Sequence, residues 1–472
     1  MTCRVLPIAV LFSLAMATIS DASTYYVDAD SPTATGDGRS TSTAWRTLLQ
    51  LQKTTLSPGD SVLFKRGSKW RNDSLKLDSR HSGAAGNPVV VSTYGNPADS
   101  APHLSNSGRL FGIYRGSHLV VEGLHFSGAR AGCIEVGDTG AHHIVIQDNE
   151  ADGCGAGVEV TRAREVVVRR NFLHDMKMIK NTQGADGTVE ADDDYGAVGI
   201  ILSGAKGCDI RGNRFKNCRQ QSFDYGTDGG AVEAWGAVQN CEVHQNLSDN
   251  TDGFMEFGGL NTDTVRNVRV HHNLALDAGA FSWIHVLDTT GRFGMSYDGL
   301  KIEYNTTVTR MRTVGFFFGG GGRLADPEQI SIRYNILVAD SIKGGVYYKP
   351  PYAIGNNLVW ATNNPFTRTY PAAPGDRWAD PQFVSETDFA LRSTSPARDA
   401  GMERGYGTDY LGRSAWRGAA PDLGAIEFQE GEDHMGNLPW RRSGTASPQS
   451  RWDIRGVRES PRWNWMNLLE RR

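Results

Sequence analysis

An asparagine closing a short, alternating apolar strand recurs down the middle of this 472-residue chain. The phrase reads Ile144-Val-Ile-Gln-Asp-Asn149, Val166-Val-Val-Arg-Arg-Asn171, Cys208-Asp-Ile-Arg-Gly-Asn213 and Cys241-Glu-Val-His-Gln-Asn246. It continues through Val268–Asn273, Leu300–Asn305 and Ile330–Asn335, with a degenerate copy ending at Asn357. Successive asparagines are 22, 42, 33, 27, 32, 30 and 22 residues apart, the period of a solenoid with unequal loops. Such an array grows linearly and needs no second core, so the length does not demand several domains.

Each repeat carries a further strand after a variable loop: Gly132-Cys-Ile-Glu-Val136, Gly157-Val-Glu-Val160, Ala197-Val-Gly-Ile200 and Ala231-Val-Glu-Ala-Trp235, then Phe254-Met-Glu-Phe257 and Ser282-Trp-Ile-His285. Alternation hides one face of each strand and wets the other. Three strands per turn, stacked in parallel, predict an all-β fold, a parallel β-helix. The asparagines would stack at one corner, each amide bonding the next coil.

The repeats, over roughly 110–365, resemble the right-handed parallel β-helix proteins of the pectin-lyase-like superfamily. The likeness extends through Tyr25-Tyr-Val-Asp28, Ala44-Trp-Arg-Thr-Leu48 and Pro58–Phe64 at one end, and through Asp380–Val384, Ser395–Ala397 and Pro421–Ala425 at the other. It implies a secreted protein that cuts or remodels polysaccharides. On this reading 23–109 is a capping segment with the first coils, 110–365 the β-helix and 366–428 a closing coil and cap. The Arg/Trp-rich tail, 429–472, is expected to be disordered.

Arg4, the apolar run Val5–Ala17 and Ser20-Asp21-Ala22 read as a signal peptide cut after Ala22, placing the protein in the periplasm or outside the cell. Removing it takes Cys3 and leaves five cysteines, of which Cys208 and Cys241 should stack in successive coils as buried thiols. A net charge of -4 gives no reason to expect nucleic acid or an acidic membrane as partner, and no later stretch suits a membrane span. A monomer acting on a polysaccharide is the expected state.

The chemistry should lie on the outward face of the strand after the variable loop. Its outward positions read Glu135, Glu159, Gly199, Glu233 and Glu256, then His285 after a register adjustment. A column of like charges destabilises a sheet, so function is the natural reason to keep one. Glu135 and Glu159 read as solvated surface groups. Thr-Asp-Gly phrases precede Glu233 and Glu256, so Asp228 and Asp252 should stack at the strand entrance. The expected catalytic set is Asp228, Glu233, Asp252, Glu256 and His285. Tyr195, Tyr225, Trp235, Arg292 and Lys349 are the expected substrate contacts. Asp192, Asp193 and Asp194, in the longest loop, offer hard oxygen ligands for calcium, although no cofactor is required. Asn250-Thr-Asp-Gly253 is also similar to a catalytic phrase of polygalacturonase-type hydrolases, which would make Asp252 an acid or base. That family's other phrases are absent.

Stacked carboxyls split their pKa values, which suits glycoside hydrolysis. Two alternatives remain. A uronate lyase or C5-epimerase would use His285, Arg292 or Lys349 with calcium. An adhesin would use the same groove to bind sugar without chemistry.

Overall fold

A computed structural model describes residues 22–182, 193–223, 226–286, 294–309, 313–319, 327–342, 353–362 and 373–430. Among them, two sheets of twelve strands and one of nine run along the molecule, each built by parallel strands from successive coils. One coil illustrates the plan. Gly132–Gly137 joins the nine-stranded sheet, His142–Gln147 the first twelve-stranded sheet and Glu150–Asp152 the second. The next coil repeats it with Ala156–Thr161, Arg164–Arg169 and Phe172–His174. This is the expected three-strand parallel β-helix.

Inward side chains stack in columns. Val121, Ile146, Val168, Ile210, Val243, Val270, Ile302 and Ile332 all lie within the interior with no exposed surface. Burying a column of Val and Ile contributes about 1.5–3 kcal/mol per side chain before conformational entropy is counted. A short helix, Leu48–Lys53, feeds Leu48 and Leu51 into the same core. After the last coil the chain returns along the outside of the second twelve-stranded sheet. There Phe389, Tyr410 and Ile426 cover Leu247 and Leu274, while Tyr406 and Arg404 bond Glu303, buried at the end of a strand of the first twelve-stranded sheet.

The asparagine corner is built from two residues. The first takes a left-handed conformation: Asp148, Arg170, Gln245, His272, Tyr304, Tyr334 and Asn356 all have φ between 48° and 62°, and Gly212 has 60°. The second is the asparagine itself. Its Oδ1 accepts both the backbone N–H and the side-chain amide of the asparagine one coil back, at 2.9–3.1 Å from Asn149 to Asn357. Its own Nδ2 donates to a carbonyl of the preceding strand, as Asn213 does to Val168 at 2.8 Å. Leu124 N–H caps one end through Asn149, and Asp376 takes the Asn357 N–H at the other.

Cys208 and Cys241 stack as expected, free and buried, with the Cys208 N–H 3.3 Å from the Cys241 sulfur. Cys133 and Cys154 form a disulfide between neighbouring coils, a pairing that the sequence phrases do not announce.

Asn213→Ala strips two donors of Asn171, one backbone and one side-chain, of their shared acceptor in a dry corner. It should destabilise the protein by about 2–4 kcal/mol in urea unfolding, since each orphaned buried group costs about 1–3 kcal/mol. A loss below about 1 kcal/mol would show the ladder to be decorative.

Candidate active site

Strand register defines the outward column of the nine-stranded sheet. Gly112 pairs with Glu135, Glu135 with Glu159, Glu159 with Ile201, Ile201 with Glu233, Glu233 with Glu256, and Glu256 with Trp283. From Glu135 to Glu256 is four strand spacings, about 19 Å. Two expectations are corrected here. Gly199 does not occupy the column; it faces the interior, where an added Cβ would come 2.3 Å from the Phe215 ring. Ile201 takes the place instead. His285 aligns with Gly258 rather than with the glutamates, since Glu256 pairs with Trp283 and Phe257 with Ile284.

The Glu135–Glu159 end is the concave part. An open pocket of about 340 Å³ is lined by Arg109, Tyr114, Glu135, Asp138, Glu159 and Arg162 among others. Neighbouring glycines clear the space: a Cβ on Gly112 would meet the Tyr114 ring at 2.4 Å, and one on Gly132 would meet Glu159 at 3.0 Å. The freed tyrosine donates its hydroxyl to Glu135, and Tyr195 donates to Glu159. Tyr195 packs over Ala156, Val198 and Ile201, which fills the gap in the acid column with an apolar step. Arg109 lies 4.0 Å from Glu135 but is largely exposed. The Glu135 Oε1 atom is buried without a protein hydrogen-bond partner. Burial pushes the Glu159 carboxyl up, against the Tyr195 hydrogen bond and with the Glu135 charge. Both tyrosine hydroxyls are pushed up as well, first by burial and then by the carboxylates they face.

A second cluster lies farther along. Glu233 accepts the Trp235 indole N–H at 3.1 Å, and Glu256 sits 3.0 Å from His285 Nε2. The Trp235 ring lies over Gly258, where a Cβ would approach it to 2.7 Å, and remains 42 % exposed. It therefore presents a flat apolar face beside two carboxylates. Burial pushes Asp252 up to about 6, although Arg219 at 3.2 Å and the Thr227 hydroxyl at 2.7 Å hold it down. Burial alone would depress His285, yet the Glu256 carboxylate turns the shift upward.

Asp228 does not stack on Asp252. Gly253 pairs with Gly230, so Asp252 aligns with Gly229 and the two Thr-Asp-Gly phrases stand one residue out of step. Asp228 belongs instead to a small hairpin, Gln220–Ser222 with Gly226–Asp228, and accepts the Gly229 N–H. Thr227 is the residue of that phrase that meets Asp252. Tyr225, Asp192, Arg292 and Lys349 lie outside the described residues. Asp193 and Asp194 begin a strand, Asp193–Gly196, paired with Met178–Thr182. Glu135 and Glu159, expected as solvated surface groups, are buried and half-buried and each bonded to a tyrosine, and the sequence reading missed Tyr114, Arg109 and Arg219. For Tyr114 the available signal was Gly112, the outward residue two positions before it.

The family described as a right-handed β-helix region matches residues 110–275. Among solved structures, the fold is similar to a pectate lyase, with TM-score 0.50 and 15% identity, covering 87% of this chain and 98% of that one. It is also similar to a lacto-N-biosidase from Eubacterium ramulus, at TM-score 0.45 and 14% identity, covering 76% of this chain and 66% of that one. The chain thus spans just under two thirds of that biosidase. No curated protein sequence matches at a significant level. The chain has the right-handed parallel β-helix, pectin-lyase-like fold. No helix among the described residues is long and apolar enough to cross a membrane.

The His285–Glu256 pair yields a signed test. With the folded-state histidine raised, its stabilisation is complete below the ordinary histidine value and is lost as pH rises through the raised one. Glu256→Gln leaves only burial, so the His285 pKa, followed by NMR titration, should fall below that of the wild type. An unchanged titration would remove the coupling.

Proposed function

We propose that this protein is an enzyme that cleaves glycosidic bonds of a polysaccharide lying across the nine-stranded sheet. Glu159 is the general acid and Glu135 the nucleophile. The observation that carries this reading is the pocket in which two in-register carboxyls have unlike surroundings: Glu159 is raised by burial, and Glu135 has one oxygen held by Tyr114 and the other buried without a protein partner. Side chains paired across neighbouring strands start about 5 Å apart, which suits the retaining separation of about 5–5.5 Å rather than the wider inverting one.

In the first step the Glu135 carboxylate bonds to the anomeric carbon as the bond to the leaving oxygen breaks, and Glu159 gives that oxygen its proton. In the second, water gives a proton back to Glu159 while its oxygen displaces Glu135, freeing the sugar. Tyr114 holds the Glu135 carboxylate in place until it reacts. The tyrosines are poor bases, because their protons are committed to carboxylates and their pKa values are raised. That favours hydrolysis over β-elimination. Trp235, Glu233 and His285 provide a further sugar-binding stretch along the same groove, with Trp235 as the stacking platform. We further propose that the chain works outside the cytoplasm. The signal-like leader supports this, as does a disulfide, which persists in oxidising compartments.

The test screens neutral and uronate polysaccharides for new reducing ends and for unsaturated uronide absorbance. Reducing ends without that absorbance, and a product of retained anomeric configuration, are expected. Glu135→Gln and Glu159→Gln should each cut turnover by about 100-fold or more with folding intact. Glu233→Gln and Trp235→Ala should raise KM more than they lower kcat. Full turnover in either pocket variant would overturn the assignment, and sugar binding without cleavage would make the protein an adhesin.

A further inference from the structure

At the corner between the nine-stranded sheet and the first twelve-stranded sheet, the chain gathers imidazoles that the proposed reaction does not use. His118 lies on Ser117–Glu122, and His142 and His143 open the next strand, His142–Gln147. One ring nitrogen from each lies within 4.8 Å of the others. The Nδ1 atoms of His142 and His143 are 2.8 Å apart, and Glu165, one coil on, places Oε2 3.0 Å from His143 Nδ1. Ligands about 2.1 Å from a tetrahedral zinc stand about 3.4 Å apart, so small side-chain rotations complete the set.

The backbone provides a second, independent observation. Since His142 pairs with Ser117 and with Arg164, His143 aligns with His118 and with Glu165. All three are left-handed, with φ of 53°, 53° and 55°. Later coils fill the same corner position with Gly207, Asn240, Asn267 and Gly299, the residue types this conformation favours. The three earlier coils instead stack side chains that can ligate a metal at this position, one above another.

We infer that His118, His142 and His143, with Glu165 as the fourth ligand, form a site for a divalent transition metal of the zinc type that staples three successive coils. Imidazole nitrogens with one carboxylate suit zinc, nickel or copper and not calcium or magnesium. Arg164, now 3.5 Å from Glu165, is half exposed and free to swing away.

Untagged, metal-stripped full-length protein should bind one equivalent of Zn²⁺ by calorimetry and gain thermal stability from it, with no comparable effect of Ca²⁺ or Mg²⁺. The double variant His118→Asn/His143→Asn keeps residues that tolerate the left-handed turn. It should lose affinity at least about 100-fold while its metal-free melting temperature stays equal or rises. Unchanged Zn²⁺ affinity in that variant, or no micromolar binding by the wild type, would overturn the site.

Discussion

Every catalytic statement about this molecule rests on strand register, and the asparagine amide sets it. A β-helix corner leaves one backbone N–H pointing at the next coil without a carbonyl opposite it. Each asparagine takes that N–H on its Oδ1 and passes the need forward through its own. The amide also anchors itself to a strand carbonyl, so sliding a coil by one residue would break three bonds at once. Coils of 22 to 42 residues, unequal through their loops, therefore stack without disturbing which side chains face one another.

That division explains what the sequence made legible. The asparagine phrase and the two-residue alternation sufficed for the coil plan, because both are local. Parity also placed Glu135, Glu159, Glu233 and Glu256 outward. Alignment between coils was harder. Gly199 looked equivalent to Glu159, but the large Phe215 needs a residue without a side chain beside it, and Ile201 takes the outward place. The two Thr-Asp-Gly phrases looked equivalent as well, yet the hairpin before Gly230 absorbs one residue and moves Asp228 out of line. Resemblance between phrases says nothing about how many residues a loop consumes. Tyr195 was expected in the groove and is found bonded to Glu159, whereas Tyr114 acts on Glu135 from another strand, and no spacing rule within one repeat reaches it.

A row of carboxylates survives on one sheet because each has a different partner. Glu135 and Glu159 take tyrosine hydroxyls, Glu233 an indole N–H, and Glu256 an imidazole whose pKa it raises. A neutral donor steadies a carboxylate without cancelling its charge, whereas an imidazole cancels it when protonated. Repulsion therefore remains at the Glu135–Glu159 end, where the Glu135 charge adds to burial in raising the Glu159 carboxyl, and Glu256 faces an imidazole instead. One repeated residue thereby acquires distinct chemical characters along the groove.

The two corners of the coil obey different rules, and the difference decides where this scaffold has freedom. At the asparagine corner the side chain itself completes the backbone bonding, so the residue type is dictated. At the corner of His143 and Glu165 the backbone bonds directly to the next coil: Glu165 N–H to Lys206, Gly207 N–H to Gln239 and Asn240 N–H to Arg266, at 2.8–2.9 Å. Nothing is left for the side chain to repair. Only the left-handed turn constrains it, at a cost of about 1–2 kcal/mol per residue that cooperative stacking absorbs. Side chains there are released from holding the coil together, and a solenoid can load such a corner with ligands on a few turns while leaving glycine and asparagine on the rest.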